Sequence, residues 1–226
     1  MGALAPVVMG AVAACASGAP PPAELDAGVE PRDVAIATER ATRIDGPYQL
    51  VFGWRLNDSG RRVGGRGVAR LAPPYRARLD LFTENGETAA VAALVAGEVR
   101  LGRGMEEELV PPPPLLWASL GVLHAGRDAS LLGAGAADGP GILLRYGLGD
   151  GGELRFRVAD RAVRGAEVIR GGHVVERVRV EGGAGLDRFP RKANYRDLAA
   201  FRELTVTLES VQRVPSHPEE IWHPGR

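Results

Sequence analysis

Few residues of this chain have the type and spacing that catalysis or metal binding needs. The four histidines are scattered along the chain, and only His217 and His223, close to Glu219, approach the spacing of a metal site. Closed zinc sites normally have tighter ligand spacing. The sequence also contains no G-x-S-x-G, H-E-x-x-H or C-x-x-C motif. It therefore predicts no catalytic residue, no metal site and no cofactor, and hence a protein that is not an enzyme.

One motif resembles a nucleotide-binding loop, because Gly147, Gly149 and Gly152 match G-x-G-x-x-G. A dinucleotide site needs a helix directly after these glycines, so that its amino terminus meets the pyrophosphate. Here the alternating residues 154–158 predict a strand instead, and the glycines indicate a tight hairpin. The 28 basic and 28 acidic residues balance, so the sequence gives no electrostatic indication of a nucleic acid partner.

The only cysteine, Cys15, follows an uncharged apolar stretch that is too short to span a bilayer. Residues 1–14 have the character of a signal peptide, and residues 12–15 resemble a bacterial lipobox, in which the cysteine is acylated and becomes the new amino terminus. We expect Cys15 to be the lipidation site. The alternative is an incidental free cysteine without a role.

The residues after Cys15 are small or proline-rich up to position 22, which favours a flexible linker over residues 15–30. One folded domain is expected over residues 31–226. Neither Ala16 nor Ser17 is the aspartate that retains lipoproteins in the inner membrane of enterobacteria. That resemblance implies anchoring to the outer membrane on its periplasmic side.

The elements that must position any site are mostly strands. Leu50, Phe52 and Trp54 alternate with outward residues, and a turn at residues 57–60 leads into a second strand over residues 61–71. Gly64, Gly65 and nearby Gly67 weaken a strand, which favours one that bends or bulges. Further strands are predicted over residues 75–81, 88–95, 98–101, 142–146, 154–158, 163–169, 174–180, 187–193 and 204–209.

Two short helices interrupt this pattern. A weak apolar stripe predicts the first helix over residues 31–43, with Pro31 in its first turn. The second, over residues 115–123, is apolar on most sides and must therefore be buried. It either forms a lid over a ligand or is an ordinary core helix. The run 133–141 is rich in glycine and alanine and indicates a flexible connection.

Together these segments resemble the LolA/LolB-like superfamily of bacterial lipoprotein and lipid carriers, and most closely its lipid-anchored members. The resemblance rests on residues 52–55, 65–70, 73–81, 85–86, 116–121 and the closing strand. It implies a mainly β, α+β fold in which a curled antiparallel sheet forms an unclosed half-barrel of roughly eleven strands. Short helices cover its concave face, which holds acyl chains.

Alternation selects the residues expected to line that concave face: Leu50, Phe52, Trp54, Leu79, Leu81, Leu116, Trp117, Leu120, Leu154 and Phe156. Each of them is alternatively an ordinary core residue. Two functions remain open at this point. The protein either shelters acyl chains of lipids or lipoproteins for transport or localisation to the outer membrane, or it is an assembly scaffold with a self-filled cavity and an envelope protein as partner.

Overall fold

The computed structural model describes residues 29–103, 110–182 and 188–225. The expected signal peptide, Cys15 and all but the last two residues of the expected linker lie outside these ranges. The expectations about them stay predictions.

Twelve strands of the described chain form a single antiparallel sheet. Their order across the sheet is β5-β4-β3-β2-β1-β12-β11-β10-β9-β8-β7-β6, so β5 and β6 are its two edges and the sheet does not close into a barrel. This confirms the mainly β half-barrel. The strands are β1 Tyr48–Asp58, β2 Arg61–Ala72, β3 Arg76–Thr83, β4 Thr88–Val95, β5 Glu98–Leu101, β6 Ser130–Ala136, β7 Ile142–Gly147, β8 Glu153–Ala159, β9 Ala162–Arg170, β10 His173–Glu181, β11 Lys192–Asp197 and β12 Arg202–Arg213.

Two parts of the sheet differ from the prediction. The glycine- and alanine-rich stretch expected to be a flexible connection contains β6, an edge strand that pairs with β7. The strand expected over residues 187–193 instead begins at Lys192, and residues 183–187 lie outside the described ranges. Both strands are short and rich in residues of low β propensity, so only pairing with a neighbour identifies them.

The glycines of β2 serve close packing and not a bulge. β2 pairs with β1 and with β3 without a register shift. A Cβ at Gly67 would lie 2.5 Å from the Phe52 ring, and one at Gly65 would lie 1.9 Å from the carbonyl oxygen of Phe82. The indole Nε1 of Trp54 passes over this gap and donates to the carbonyl of Phe82 at 3.1 Å. The large rings of Phe52 and Trp54 on β1 therefore need glycine at the neighbouring positions of β2.

The two helices are α1, Pro31–Thr42, and α2, Pro113–Ser119. α1 is tied to the residues after α2, because the backbone N–H of Leu123 donates to Thr42 Oγ1 at 3.0 Å. It is also tied to the start of β3, where Tyr75 Oη donates to Glu39 Oε1 at 2.6 Å. The ring of Tyr75 stacks on His124 with centroids 3.9 Å apart. These contacts fix both helices on the concave side of the sheet.

α2 separates the core into two parts. The α1-side core consists of α1, one face of α2 and the inward residues of β7–β11, with Leu115 and Ala118 fully buried in it. The cavity-side core consists of the inward residues of β1–β4 around the fully buried Trp117. The apolar character of α2 on most sides follows from this position, since a helix between two apolar cores has no solvated face.

The outer face of β3–β5 carries the carboxy-terminal tail. The 3₁₀ helix Glu219–Trp222 packs on it, and Trp222 is only 2% exposed. Arg78 donates to the carbonyl of Ile221 at 2.6 Å and also pairs with the buried Asp80 at 2.8 Å. Trp222 thus folds back onto the body of the protein.

Candidate functional site

The concave face encloses a cavity of about 100 Å³ between α2 and the cavity-side half of the sheet. Its walls come from β1, β3, β4 and β5 on one side and from β11 and β12 on the other, and α2 covers it. The pairing of β1 with β12 joins these walls, although the paired residues, such as Phe52 and Leu208, are far apart in the sequence.

Several apolar side chains around the cavity are only partly buried. Five leucines line it and are neither fully buried nor fully exposed: Leu79, Leu81, Leu116, Leu120 and Leu208. In contrast, Leu144, Leu154 and Phe156 of the α1-side core are fully buried. Partly covered leucines that converge on one concavity are typical of a binding site for apolar groups, because their burial is completed by a ligand.

Eight of the ten residues selected from the sequence line this cavity: Leu50, Phe52, Trp54, Leu79, Leu81, Leu116, Trp117 and Leu120. The structure brings them together from β1, β3 and α2. The other two, Leu154 and Phe156, lie on β8 in the α1-side core and form no part of the described cavity wall. Their alternation is the same as that of β1, but the α1-side core fills the space in front of β8.

No family model matches the sequence, and no curated protein matches it significantly. Solved structures do match. A LolA superfamily protein from Nitrosomonas europaea superposes with a TM-score of 0.56 at 12% identity, covering 86% of this chain and 97% of that chain. A DUF1329 family protein from Desulfovibrio piger gives a TM-score of 0.53 at 8% identity, covering 85% and 95%.

The chain has a LolA/LolB-like fold. At these levels of identity the similarity establishes the fold alone, so what the site does must be argued from its own residues.

The cavity beneath α2 is lined without charge. Among the described lining residues there is no Asp, Glu, Lys, Arg or His. The hydroxyl of Ser119 is occupied, since it donates to the carbonyl of Leu116 at 2.7 Å, and burial raises the pKa of Tyr195, which keeps that residue neutral. Such a lining suits a neutral, apolar ligand and offers neither a nucleophile nor a general base.

One polar group of the lining is unpaired. The indole Nε1 of Trp117 is buried and has no acceptor among the residues that the structure describes. A buried donor without a partner costs roughly 1–3 kcal/mol. The Trp117 ring is 0% exposed and packs edge to face with Tyr75 and His124, so this donor does not face the open cavity.

The capacity of the cavity is limited. A water molecule takes up about 30 Å³ in the liquid, so about 100 Å³ accommodates roughly three water-sized groups. A methylene group is similar in size to a water molecule. The cavity can therefore hold a short apolar group of about three methylenes without rearrangement.

Sequence reasoning missed a second set of lining residues, which includes Ala77, Ala92, Val99, Leu115, Phe189, Ala193, Tyr195, Leu204, Val206 and Leu208. The sequence did indicate which residues of β12 point inward, because Leu204, Val206 and Leu208 alternate with polar residues. This alternation does not show that β12 pairs with β1, and without that pairing β12 cannot be assigned to the cavity wall.

The other chemical candidates have structural explanations. The glycine motif forms the hairpin between β7 and β8, where Leu148 N donates to the carbonyl of Gly152 at 2.9 Å. In the tail, His217 Nε2 lies 3.0 Å from the carbonyl oxygen of Tyr48, and His223 Nδ1 lies 3.1 Å from an Arg100 nitrogen. No cluster of three or more metal-ligating side chains occurs within residues 29–103, 110–182 and 188–225.

No helix among the described residues is both long and apolar enough to cross a bilayer.

Proposed function

We propose that this protein binds an acyl chain of a lipid or lipoprotein in the cavity beneath α2 and carries it within the cell envelope, without covalent chemistry. The observation that carries the proposal is the convergence of partly exposed leucines on one uncharged cavity. Burial of each methylene contributes about 0.8 kcal/mol. A segment of roughly three methylenes within the cavity would thus gain about 2.5 kcal/mol before the cost of association is subtracted.

The amino-terminal residues complete the proposal. Acylation of Cys15 after removal of residues 1–14 would anchor the domain of residues 31–226 to the periplasmic side of the outer membrane through the linker of residues 15–30. A short flexible linker suits a carrier, because it keeps the cavity close to the membrane and leaves it free to turn.

Native mass spectrometry tests the acyl-binding proposal. The Cys15→Ser chain is expressed in a bacterial periplasm, and any mass excess is extracted and identified. Since the substitution removes the attached acyl chains, a stoichiometric lipid or acylated peptide must be bound cargo. We expect such a mass, and we expect Leu79→Gln to reduce it while Leu132→Gln, at an exposed site on β6, leaves it unchanged. An unliganded mass that persists after incubation with lipids contradicts the proposal.

A second candidate is favoured by one specific observation. The protein's own side chains from α1, α2 and β7–β11 fill the whole α1-side half of the concave face. A fold that fills half of its concavity with its own core can serve as a scaffold for an envelope protein partner. This candidate predicts an empty cavity together with a specific protein captured by crosslinking in cells.

A further inference from the structure

The most exposed large apolar side chain of the described chain is Phe201, at 78%. It belongs to the turn that joins β11 to β12, residues Leu198, Ala199, Ala200 and Phe201, here called the apolar tip. Leu198 is 38% exposed as well. Four consecutive apolar residues at the end of a hairpin are unusual, because hairpin turns are normally built from Gly, Asn, Asp and Ser.

The conformation of the apolar tip adds to this anomaly. Phe201 has a φ of +53°, in the left-handed region. A bulky residue rarely adopts this conformation, and glycine adopts it without steric cost. The chain therefore carries strain that keeps an aromatic ring in solvent, which is where a functional role is expected.

Three of the four backbone N–H groups of the apolar tip are bonded within the protein. Leu198 N donates to the carbonyl of Val175 at 2.8 Å. Ala199 N and Ala200 N both donate to Asp197 Oδ1, at 3.0 and 2.9 Å. The bonds from Asp197 form an Asx turn, which is common in turns exposed to water. They also leave fewer N–H groups to be desolvated if the turn enters an apolar medium.

Two of the four carbonyl groups of the tip are bonded as well. Ser59, in the neighbouring β1–β2 hairpin, donates its N–H to the carbonyl of Phe201 at 3.2 Å and its hydroxyl to that of Ala200 at 3.4 Å. The two hairpins are also joined by the ion pair between Arg202 and Asp58 at 3.5 Å. The tip is thus an apolar projection that the neighbouring hairpin holds in place.

The charge beside the apolar tip indicates which medium it enters. Arg61 and Arg62 of the β1–β2 hairpin are exposed and have no ion pair within the described ranges, while Asp58 is paired with Arg202. A two-fold contact between copies of the chain would place these arginines against each other, which costs energy. Anionic lipid headgroups would instead neutralise them.

We propose that the apolar tip inserts into the surface of an anionic lipid bilayer, with Phe201 in the acyl region and Arg61 and Arg62 at the headgroups. This inference goes beyond the proposed acyl binding and does not depend on it, because the tip and the cavity share no residue. If Cys15 is acylated, the tip provides a second membrane contact that orients the domain.

Vesicle binding tests the inference. The full chain with Cys15→Ser is mixed with vesicles of phosphatidylethanolamine and phosphatidylglycerol at a ratio of about 7:3, and partitioning is measured by flotation. We expect Phe201→Asp to lower the partition coefficient by about tenfold to a hundredfold, as the loss of one buried aromatic side chain predicts. The matched control Leu132→Asp replaces another exposed apolar residue, 56% exposed on β6, and should leave partitioning unchanged.

A fluorescence measurement gives an independent readout. The native Trp54, Trp117 and Trp222 are at most 5% exposed. In the Phe201→Trp variant, the new indole is therefore the exposed tryptophan whose fluorescence responds to contact with vesicles. Its emission should shift to shorter wavelength with anionic vesicles and be quenched by lipids brominated in their acyl chains. Equal partitioning of Phe201→Asp and the unmodified chain, or no spectral shift, would overturn the proposal. Dimerisation that depends on Phe201 would also overturn it, in favour of a second copy as the partner.

Discussion

Filling the cavity with a larger side chain should weaken acyl binding and leave the stability of the fold nearly unchanged. Ala92 on β4 lines the cavity and lies directly opposite Leu79 of β3, which also lines it. Ala92→Phe would place a phenyl ring in the space that the acyl chain is proposed to occupy. The backbone need not change, since both residues are compatible with a strand.

The expected magnitude follows from the cavity volume. A phenyl ring has six carbon atoms, and the cavity of about 100 Å³ holds roughly three water-sized groups, so the ring would fill it. Displacing three methylenes would cost the ligand at most about 2.5 kcal/mol. Because a bound chain can withdraw towards the partly exposed leucines, we expect about half of that loss, which corresponds to an affinity roughly tenfold lower.

The stability of the folded state should change little. The new ring is buried in apolar surroundings, which contributes roughly 1.5–3 kcal/mol, while crowding costs roughly 1–3 kcal/mol. The free energy of unfolding should therefore stay within about 2 kcal/mol of the unmodified value. Titration with a dansyl-labelled fatty acid measures the affinity, and urea unfolding measures the stability.

The matched control is Ala37→Phe, which makes the same replacement on the exposed side of α1. It should bind the labelled fatty acid like the unmodified chain. Unchanged affinity in Ala92→Phe, with unfolding that shows the ring is accommodated, would refute the assignment of this cavity as the acyl site. Equal losses in both variants would show that the effect is unspecific.

Three further changes test other parts of the structure. Gly65→Ala should destabilise the fold by about 2–4 kcal/mol in urea unfolding, because its Cβ would lie 1.9 Å from the carbonyl oxygen of Phe82. Burial, with a smaller contribution from the Asp197 charge, raises the pKa of Glu176 to about 7. Its protonated form is thus favoured in the folded state, so the unfolding free energy should fall as the pH rises from about 4.5 to 7. Glu176→Gln should remove this pH dependence. At pH 8 the variant should be more stable than the unmodified chain by roughly 1–2 kcal/mol, allowing for the partial exposure of the side chain. Phe201→Gly should raise the unfolding free energy by about 0.5–1 kcal/mol, because glycine relieves the left-handed strain, and at the same time weaken vesicle binding.

Each of these changes has a control or an opposing outcome. Gly149→Ala is the control for Gly65→Ala, because a Cβ there meets no atom within 4 Å. A Gly65→Ala variant as stable as Gly149→Ala would contradict the close-packing argument. For Glu176, identical pH profiles of the unmodified chain and Glu176→Gln would refute the raised pKa. A loss of stability in Phe201→Gly would mean that the aromatic ring stabilises the hairpin and is not held there at a cost.

The local part of the fold could be predicted from the sequence. Alternation in residues 48–58 and 76–83, with turn residues between the strands, determined the first meander and the inward direction of Phe52 and Leu79. The direction of a strand side chain depends only on residues close to it in the sequence, and an alternating pattern of apolar and polar residues shows that direction directly. The eight cavity residues found in advance all come from such segments or from the uniformly apolar α2.

What the tertiary structure decided is which apolar faces meet. Leu154 and Phe156 alternate like Leu50 and Phe52, but the α1-side core covers β8 and leaves space in front of β1. The contribution of β12 to the cavity depends on its pairing with β1, which joins residues about 150 positions apart. The sequence by itself therefore determined a curled sheet with apolar inward faces. The packing of both helices decided which half is filled and which half keeps a cavity, because packing depends on volumes that local patterns do not record.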